Sequence, residues 1–255
     1  MTSAALKILG AVLIGFAYFI SSLMIAIGSF TGKSRRRRLS RNVSFFARFA
    51  LRLLVVRVRV RSRSRLPKAP AGRLIVSNHL SSLDILVLAS LMPVVFITSV
   101  ELRRSGLPGL FALAAGSLFV ERQRAIALRG EITTISRAIT QGFSVVLFPE
   151  GTSSDGSGVQ PFKNALFDAA IRAGAEVLPL CIRYSKANGK KITIGDGHAV
   201  FYHGIPFLRH VRTILALQTL EAEVAVLERI PAGTVGSRKK MASLLHKAIS
   251  EAYHR

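Results

Sequence analysis

Asn78-His79-Leu80-Ser81-Ser82-Leu83-Asp84 follows the short apolar run Leu74-Ile75-Val76, and Pro149-Glu150-Gly151-Thr152-Ser153 follows Val145 to Phe148. An imidazole and a carboxylate come just after one apolar run. A carboxylate and a glycine come just after another. An α/β fold builds a site in this way, from loops at the ends of neighbouring strands. Around these two runs the chain alternates short apolar segments with helical patterns. The segments Val94 to Thr98, Leu118 to Val120 and Val177 to Ile182 read as further buried strands. Helices are expected over Ile85 to Met92, Pro108 to Ala115, the stripe Ile132, Ile135 and Ile139, and Asn164 to Ala173. Gly174 is expected to end the last of these. Met241, Leu244, Leu245, Ala248 and Ile249 mark an amphipathic C-terminal helix. Asn188-Gly189 is a hairpin signal that offers Ile192 to Ile194 as an antiparallel partner. The expected fold is α/β: a mostly parallel or mixed central β-sheet flanked by helices, with an N-terminal transmembrane or membrane-associated helical element.

The N-terminal element rests on composition. Ile8 to Phe30 is 23 residues without a charge. As a helix it measures about 34 Å, against a hydrocarbon core of about 30 Å. Arg35 to Arg38 and Arg41 follow at once, which places the rest of the chain on the cytoplasmic face of the inner membrane. The 255-residue chain carries a net charge of +23, and Asp84 is its first acidic residue, preceded by sixteen Lys and Arg. Such a stripe seeks a polyanion, and the apolar run before it selects an anionic membrane surface over nucleic acid. No nucleic-acid module is recognisable. Three segments are expected: 1–33 as a membrane-spanning helix, 34–66 as a basic amphipathic connector with the first strand, and 67–255 as the α/β domain. Within the connector, Val43 to Leu54 has helical spacing. It fits a helix lying on headgroups and equally a helix packed on the first. Val56 to Arg61 alternates strictly, as a half-buried strand with an arginine face.

A histidine beside a carboxylate is the usual pair for taking a proton from a hydroxyl near pH 7. His79 and Asp84 are five residues apart and do not share a face of an ideal helix. They meet only if His79 lies in the loop before the helix. Ser81-x-x-Asp84 is also a capping box starting a helix at Ser81, so Asp84 has a structural reading of equal weight. Glu150 and Gly151 alone fit an ordinary strand-to-loop turn. An arginine after Leu118 to Val120 alone fits a solvated surface. The single cysteine, Cys181, rules out an intramolecular disulfide and a multi-cysteine zinc site, and reads as a core residue. Gly28-x3-Gly32-Lys33-Ser34 is one residue short of a P-loop. No Gly-x-Ser-x-Gly elbow is present.

Taken in order, Asn-His-x4-Asp (78–84), Gly-x-x-Phe-x-x-Arg (116–122), Phe-Pro-Glu-Gly-Thr (148–152) and Val177-Leu178-Pro179 resemble the glycerolipid acyltransferase family, especially bacterial 1-acylglycerol-3-phosphate acyltransferases. The resemblance covers about residues 56 to 185. It implies His79 as general base on an acceptor hydroxyl, oriented by Asp84. It implies direct attack on the thioester of acyl-CoA or acyl-carrier protein, with no covalent acyl-enzyme, no metal and no other cofactor. It assigns Arg122, Glu150, Gly151 and Thr152 to the lysolipid acceptor, and Asn78, Gly116, Phe119, Phe148, Pro149 and Pro179 to support. The expected product is phosphatidic acid. Two positions depart from the pattern: Ser153 stands where phosphate-acceptor members commonly have arginine, and Glu121 where aspartate is often seen. The continuation Ser153-Ser154-Asp155-Gly156, then Pro161-Phe162, is similar to the lyso-ornithine lipid branch, which makes another lysolipid an alternative acceptor. Lys163 is a candidate for the missing charge. A non-catalytic basic membrane scaffold is the reading from a different class.

Overall fold

The computed structural model describes residues 4–67, 71–121 and 125–255, with backbone alone at 125–127 and 232. In chain order the elements are α1 (Ala4–Ile27), α2 (Gly32–Leu53), β1 (Val56–Arg61), β2 (Arg73–Ser77), α3 (Leu83–Leu91), β3 (Val95–Ser99), α4 (Val100–Arg103), α5 (Leu107–Ala114) and β4 (Leu118–Val120). They continue with α6 (Ala125–Thr140), β5 (Ser144–Leu147), α7 (Asp168–Arg172), β6 (Val177–Ala187), β7 (Lys190–Lys191), α8 (Phe207–Ala216), β8 (Leu220–Val226) and α9 (Arg238–His254).

The strands form one mixed sheet in the order β1-β8-β6-β2-β5-β3-β4, with β7 paired to β6. Strands β2, β3, β4 and β5 run parallel, as do β2 with β6 and β1 with β8. Strands β6 and β8 are antiparallel. All residues of β2 and β5 are buried, which is why Leu74 to Val76 and Val145 to Leu147 within them read as uninterrupted apolar runs. At the β1 end one face is open to solvent, and burial alternates along β1 and β8. There Arg59 of the arginine face pairs with Glu221 at 3.5 Å, and Arg183 of β6 pairs with Glu223 at 3.6 Å.

Several expectations need correction. The helix expected over Val43 to Leu54 begins earlier, at Gly32, and fills most of the connector. Thr31 caps α2 by accepting from the Ser34 N–H at 3.1 Å, and no Pro or Gly follows Gly32 before Leu53. Asn188 and Gly189 do turn the chain, both at positive φ (52° and 79°), but the returning strand is Lys190–Lys191 rather than Ile192 to Ile194. The longer antiparallel partner of β6 is β8, whose alternating pattern Leu-Glu-Ala-Glu-Val-Ala-Val meets β6 from Leu220 to Val226. The segment after Asn164 is a 3-10 turn (Ala165–Phe167) leading into α7.

Helices α1 and α2 form an antiparallel hairpin. Gly10 lies against Leu53, while Asn42 Nδ2 donates to Ser21 Oγ at 2.9 Å and to Ser22 Oγ at 3.0 Å. Helix α2 packs on α3 and buries Leu39, Val43, Ala47 and Leu51, leaving Phe45 and Phe49 exposed. So α2 packs against the first helix, and it still carries an outward apolar and basic stripe. Helix α1 has the length and composition to cross a membrane, and its outer residues stay exposed, from 47% at Ile20 to 76% at Ile27. Its inner face docks on the domain along its length. Lys7 Nζ donates to the Leu217 carbonyl at 2.5 Å, and Tyr18 stacks on Phe111 of α5 with centroids 5.8 Å apart.

Candidate active site

Parallel neighbours β2 and β5 deliver their following loops to the same sheet edge. Asn78 ends β2 as a backbone mimic. Its side chain donates to the Ile182 carbonyl at 2.9 Å and accepts from the Ile182 N–H at 2.8 Å, which ties the loop to β6. His79 comes next, outside any helix, and α3 begins at Leu83. The imidazole and the carboxylate therefore meet: His79 Nδ1 lies 2.8 Å from Asp84 Oδ2. The two readings of Asp84 turn out to be one arrangement. The same Oδ2 accepts the N–H of Leu80 at 2.6 Å and of Ser81 at 2.9 Å. The second contact is the returning half of a capping box. The forward half is absent: Ser81 Oγ accepts from the Leu83 N–H at 3.4 Å and sits 3.2 Å from His210 Nε2. The helix starts at Leu83, after a turn in which the Asp84 N–H donates to the Ser81 carbonyl at 3.1 Å.

Tyr184 completes the carboxylate's shell, its phenol donating to Asp84 Oδ1 at 2.7 Å. Asp84 is fully buried, whereas the His79 side chain keeps 20% of its surface exposed. The histidine is thus the reachable member of the pair. With Nδ1–H turned to Asp84, Nε2 carries the lone pair. The ring stacks on Phe148 with centroids 4.2 Å apart, and Phe96 continues the stack. Burial holds the Tyr184 hydroxyl well above its ordinary range, reinforced by the adjacent Asp84 charge, so it stays a donor.

Glu150 is 4% exposed, and both its oxygens are engaged by backbone. Oε1 accepts the His79 N–H at 2.6 Å and Oε2 the Gln160 N–H at 2.8 Å. Burial pushes its carboxyl up to about 7. Glu150 therefore clamps the histidine loop to the loop that follows β5. The Ser154 N–H, donating to the His79 carbonyl at 2.9 Å, does the same. Gly151 turns the chain at φ +82°, a conformation that glycine adopts without strain. Thr152 is exposed beside it, with Oγ1 3.5 Å from the Ser153 carbonyl. The Pro149 carbonyl accepts the Lys163 N–H at 2.9 Å, closing the base of the loop, and Lys163 itself is exposed. Ser153 is 6% exposed and donates to the Tyr202 carbonyl, so it faces inward.

The remaining expected residues stand further out. Gly116 (φ +69°) leads into β4 against Leu39, and Phe119 lies under the Arg103 guanidinium at 5.5 Å. Arg122 lies outside the described residues. Pro179 is buried in β6 beside Val76, its carbonyl accepting the Leu227 N–H at 3.0 Å. Cys181 is buried in the same strand. Among the described residues no group of three or more His, Cys, Asp or Glu is placed to hold a metal ion.

Sequence reasoning missed two residues. Tyr184 continues the buried period-two face of Leu180 and Ile182, and a phenol there needs a partner. His210 is fully buried on α8, and burial lowers its pKa to about 4, so it is neutral. Nothing in its neighbouring sequence signals its contact with Ser81.

Comparison with known proteins adds to this geometry. A family model described as Acyltransferase matches residues 57–183. The chain is 38% identical over 129 residues to a 1-acyl-sn-glycerol-3-phosphate acyltransferase of Neisseria gonorrhoeae, covering 49% of each chain. It thus spans about half the length of that relative. It is 32% identical to a lyso-ornithine lipid O-acyltransferase of Brucella abortus, over 84% of this chain and 81% of that one. A similar protein of Rhizobium meliloti is 33% identical over 79% and 71% of the two chains. The crystal structure of the 1-acyl-sn-glycerophosphate acyltransferase PlsC from Thermotoga maritima shares the fold, with a TM-score of 0.69 at 18% identity over 98% of this chain and 96% of that one. On the four ordered motifs, the paired His79 and Asp84 and these matches, the chain belongs to the acyltransferase family.

Proposed function

We propose that the protein is a membrane-attached O-acyltransferase that moves a fatty acyl group from a thioester, acyl-CoA or acyl-carrier protein, to the free hydroxyl of a lysolipid. One observation carries this reading: a partly exposed imidazole whose Nδ1 is held 2.8 Å from a buried carboxylate at the ends of parallel strands. The lone pair on Nε2 removes the hydroxyl proton as the oxygen attacks the thioester carbonyl. Collapse of the tetrahedral intermediate breaks the C–S bond, and the proton on Nε2 passes to the departing thiolate. Asp84 stabilises the imidazolium between these steps. His79→Ala tests the role. A general base contributes ~10²–10⁴-fold, so the variant loses that much thioester consumption while remaining folded and attached. Unchanged activity in His79→Ala would refute it and favour a non-catalytic scaffold.

Two acceptors fit. The order of the motifs favours 1-acylglycerol-3-phosphate, with phosphatidic acid as product, Arg122, Gly151 and Thr152 around the acceptor, and Glu150 acting on it through the loops it clamps. A specific observation favours lyso-ornithine lipid. Ser153 is turned inward onto the Tyr202 carbonyl, so this position offers no cation to a phosphate. The relatives named for that lipid also match over most of the chain. Assaying both acceptors side by side with the purified protein separates the readings.

Attachment follows from α1. Its exposed apolar face suits hydrocarbon, while Lys7, Tyr18 and the serines against Asn42 keep its other face on the domain. Leu107, Leu110 and Leu113 of α5 extend the exposed apolar surface beside it. We read this as a hairpin sunk into one leaflet, with the arginines of α2 at the headgroups. The inner membrane, cytoplasmic side, is the site the arginine run favours, because the anionic lipids of that leaflet attract it.

A further inference from the structure

Along α2, Arg38, Arg41, Phe45 and Arg48 recur at three- and four-residue spacings and so share one stripe of the helix. With Ser44 and with Ile25 of α1 they line an open groove of about 440 Å³. The groove lies where α2 passes the last turn of α1 and Pro93, beyond the end of α3. Among the described residues it carries three guanidiniums and no carboxylate. Two of the guanidiniums are held in place by carbonyls: Arg38 donates to Gly28 O at 3.2 Å and Arg48 to Ser90 O at 2.9 Å. Arg41 is exposed.

Ser44 supplies the independent observation. It is 3% exposed, and its hydroxyl is buried without a hydrogen-bond partner. One turn earlier Ser40 gives its proton to the Arg37 carbonyl at 3.0 Å, as serines in helices commonly do. Ser44 does not, although a buried polar group left unmatched is costly. An anionic oxygen in the groove would accept from Ser44 and pair with the arginines together. The other wall is apolar. Ile25 lines it, and Met24 and Ile27 beside it are 66% and 76% exposed.

We propose that this groove binds the phosphate headgroup of an anionic membrane lipid, with the lipid's chains lying along α1. It is separate from the acyl-transfer site. Asp84 is in the first turn of α3 and the groove is past its last, about 13 Å away along a nine-residue helix. The apolar wall distinguishes a lipid from a soluble phosphate. The proposal rests on the reading that α1 is immersed in lipid.

The test is co-sedimentation of the full chain with vesicles of phosphatidylcholine alone, with phosphatidylglycerol added, and with oleate added to equal surface charge. The wild type binds the phosphatidylglycerol vesicles more tightly than the oleate vesicles. Arg41→Gln loses affinity for phosphatidylglycerol about fivefold, the factor for about 1 kcal/mol per basic side chain. It loses more than Arg37→Gln, an exposed arginine outside the groove. Ser44→Ala keeps its melting temperature and loses the preference for phosphatidylglycerol over oleate. Equal losses for Arg37→Gln and Arg41→Gln on both anionic vesicles overturn the site and leave only diffuse attraction. Displacement by inorganic phosphate or free coenzyme A at constant ionic strength also overturns it, since either would place a soluble phosphate there. Binding to every vesicle with no headgroup preference overturns the groove alone, whereas no binding to any vesicle overturns the immersion of α1 as well.

Discussion

Replacing Asp84 by asparagine separates charge from geometry at the heart of the site. Asp84 accepts four hydrogen bonds: from His79, Leu80 and Ser81 on Oδ2, and from Tyr184 on Oδ1. An asparagine keeps an oxygen for the three converging donors. Its amide takes the place of Oδ1, where the Tyr184 phenol can turn and accept. The three donors that shape the loop keep an acceptor, so the loop keeps its shape. Two charge-assisted contacts to backbone become ordinary ones, a loss of ~1 kcal/mol each, offset by no longer burying an anion. The catalytic loss is larger, because no negative charge faces the imidazolium. A loss in kcat of ~10²–10⁴-fold is expected, which at about 1.36 kcal/mol per decade is ~3–5 kcal/mol of barrier. Release of free thiol from acyl-CoA, followed with a chromogenic thiol reagent at saturating acceptor, measures it. A melting temperature within a few degrees of the wild type shows that the loop survived. Retention of more than a tenth of kcat in a folded variant would refute the assignment of Asp84 to the imidazolium.

Three further outcomes are expected. Tyr184→Phe leaves a buried carboxylate oxygen without its donor, which raises the affinity of Asp84 for positive charge on His79. The acid limb of the kcat/KM profile should move to higher pH, and an unmoved limb would show the phenol to be packing alone. Asn78→Ala strands both the N–H and the carbonyl of Ile182 in the sheet interior. At ~1–3 kcal/mol for each group, the midpoint of urea denaturation should fall clearly. Glu150 has a carboxyl raised by burial from 4.5 to about 7, so its proton is bound more tightly folded than unfolded. The stability this confers is complete below pH 4.5 and lost as pH rises through about 7, a change of ~3 kcal/mol. Glu150→Gln should flatten that part of the stability curve relative to wild type, and parallel curves would contradict it.

The His79–Asp84 pair is written locally, and so its geometry was legible in one dimension. His79 and Asp84 are neighbours along the chain, and the capping spacing itself dictates that the carboxylate folds back on the loop. The apolar runs Leu74 to Val76 and Val145 to Phe148, before His79 and Glu150, announced a buried parallel sheet, because strands covered on both faces lack alternation. The uncharged stretch from Ile8 marked α1 by composition alone as a helix long and apolar enough to cross a membrane. Tertiary structure alone decided what lies across the sheet. Tyr184 reaches Asp84 over 100 residues and His210 reaches Ser81 over 129, because β6 and α8 pack beside the loop after β2. Glu150 likewise turns out to grip the His79 backbone, since the order of strands sets which loops touch. Periodicity reports which way a side chain faces. It says nothing of which partner waits there, for that depends on long-range pairing that no local spacing encodes.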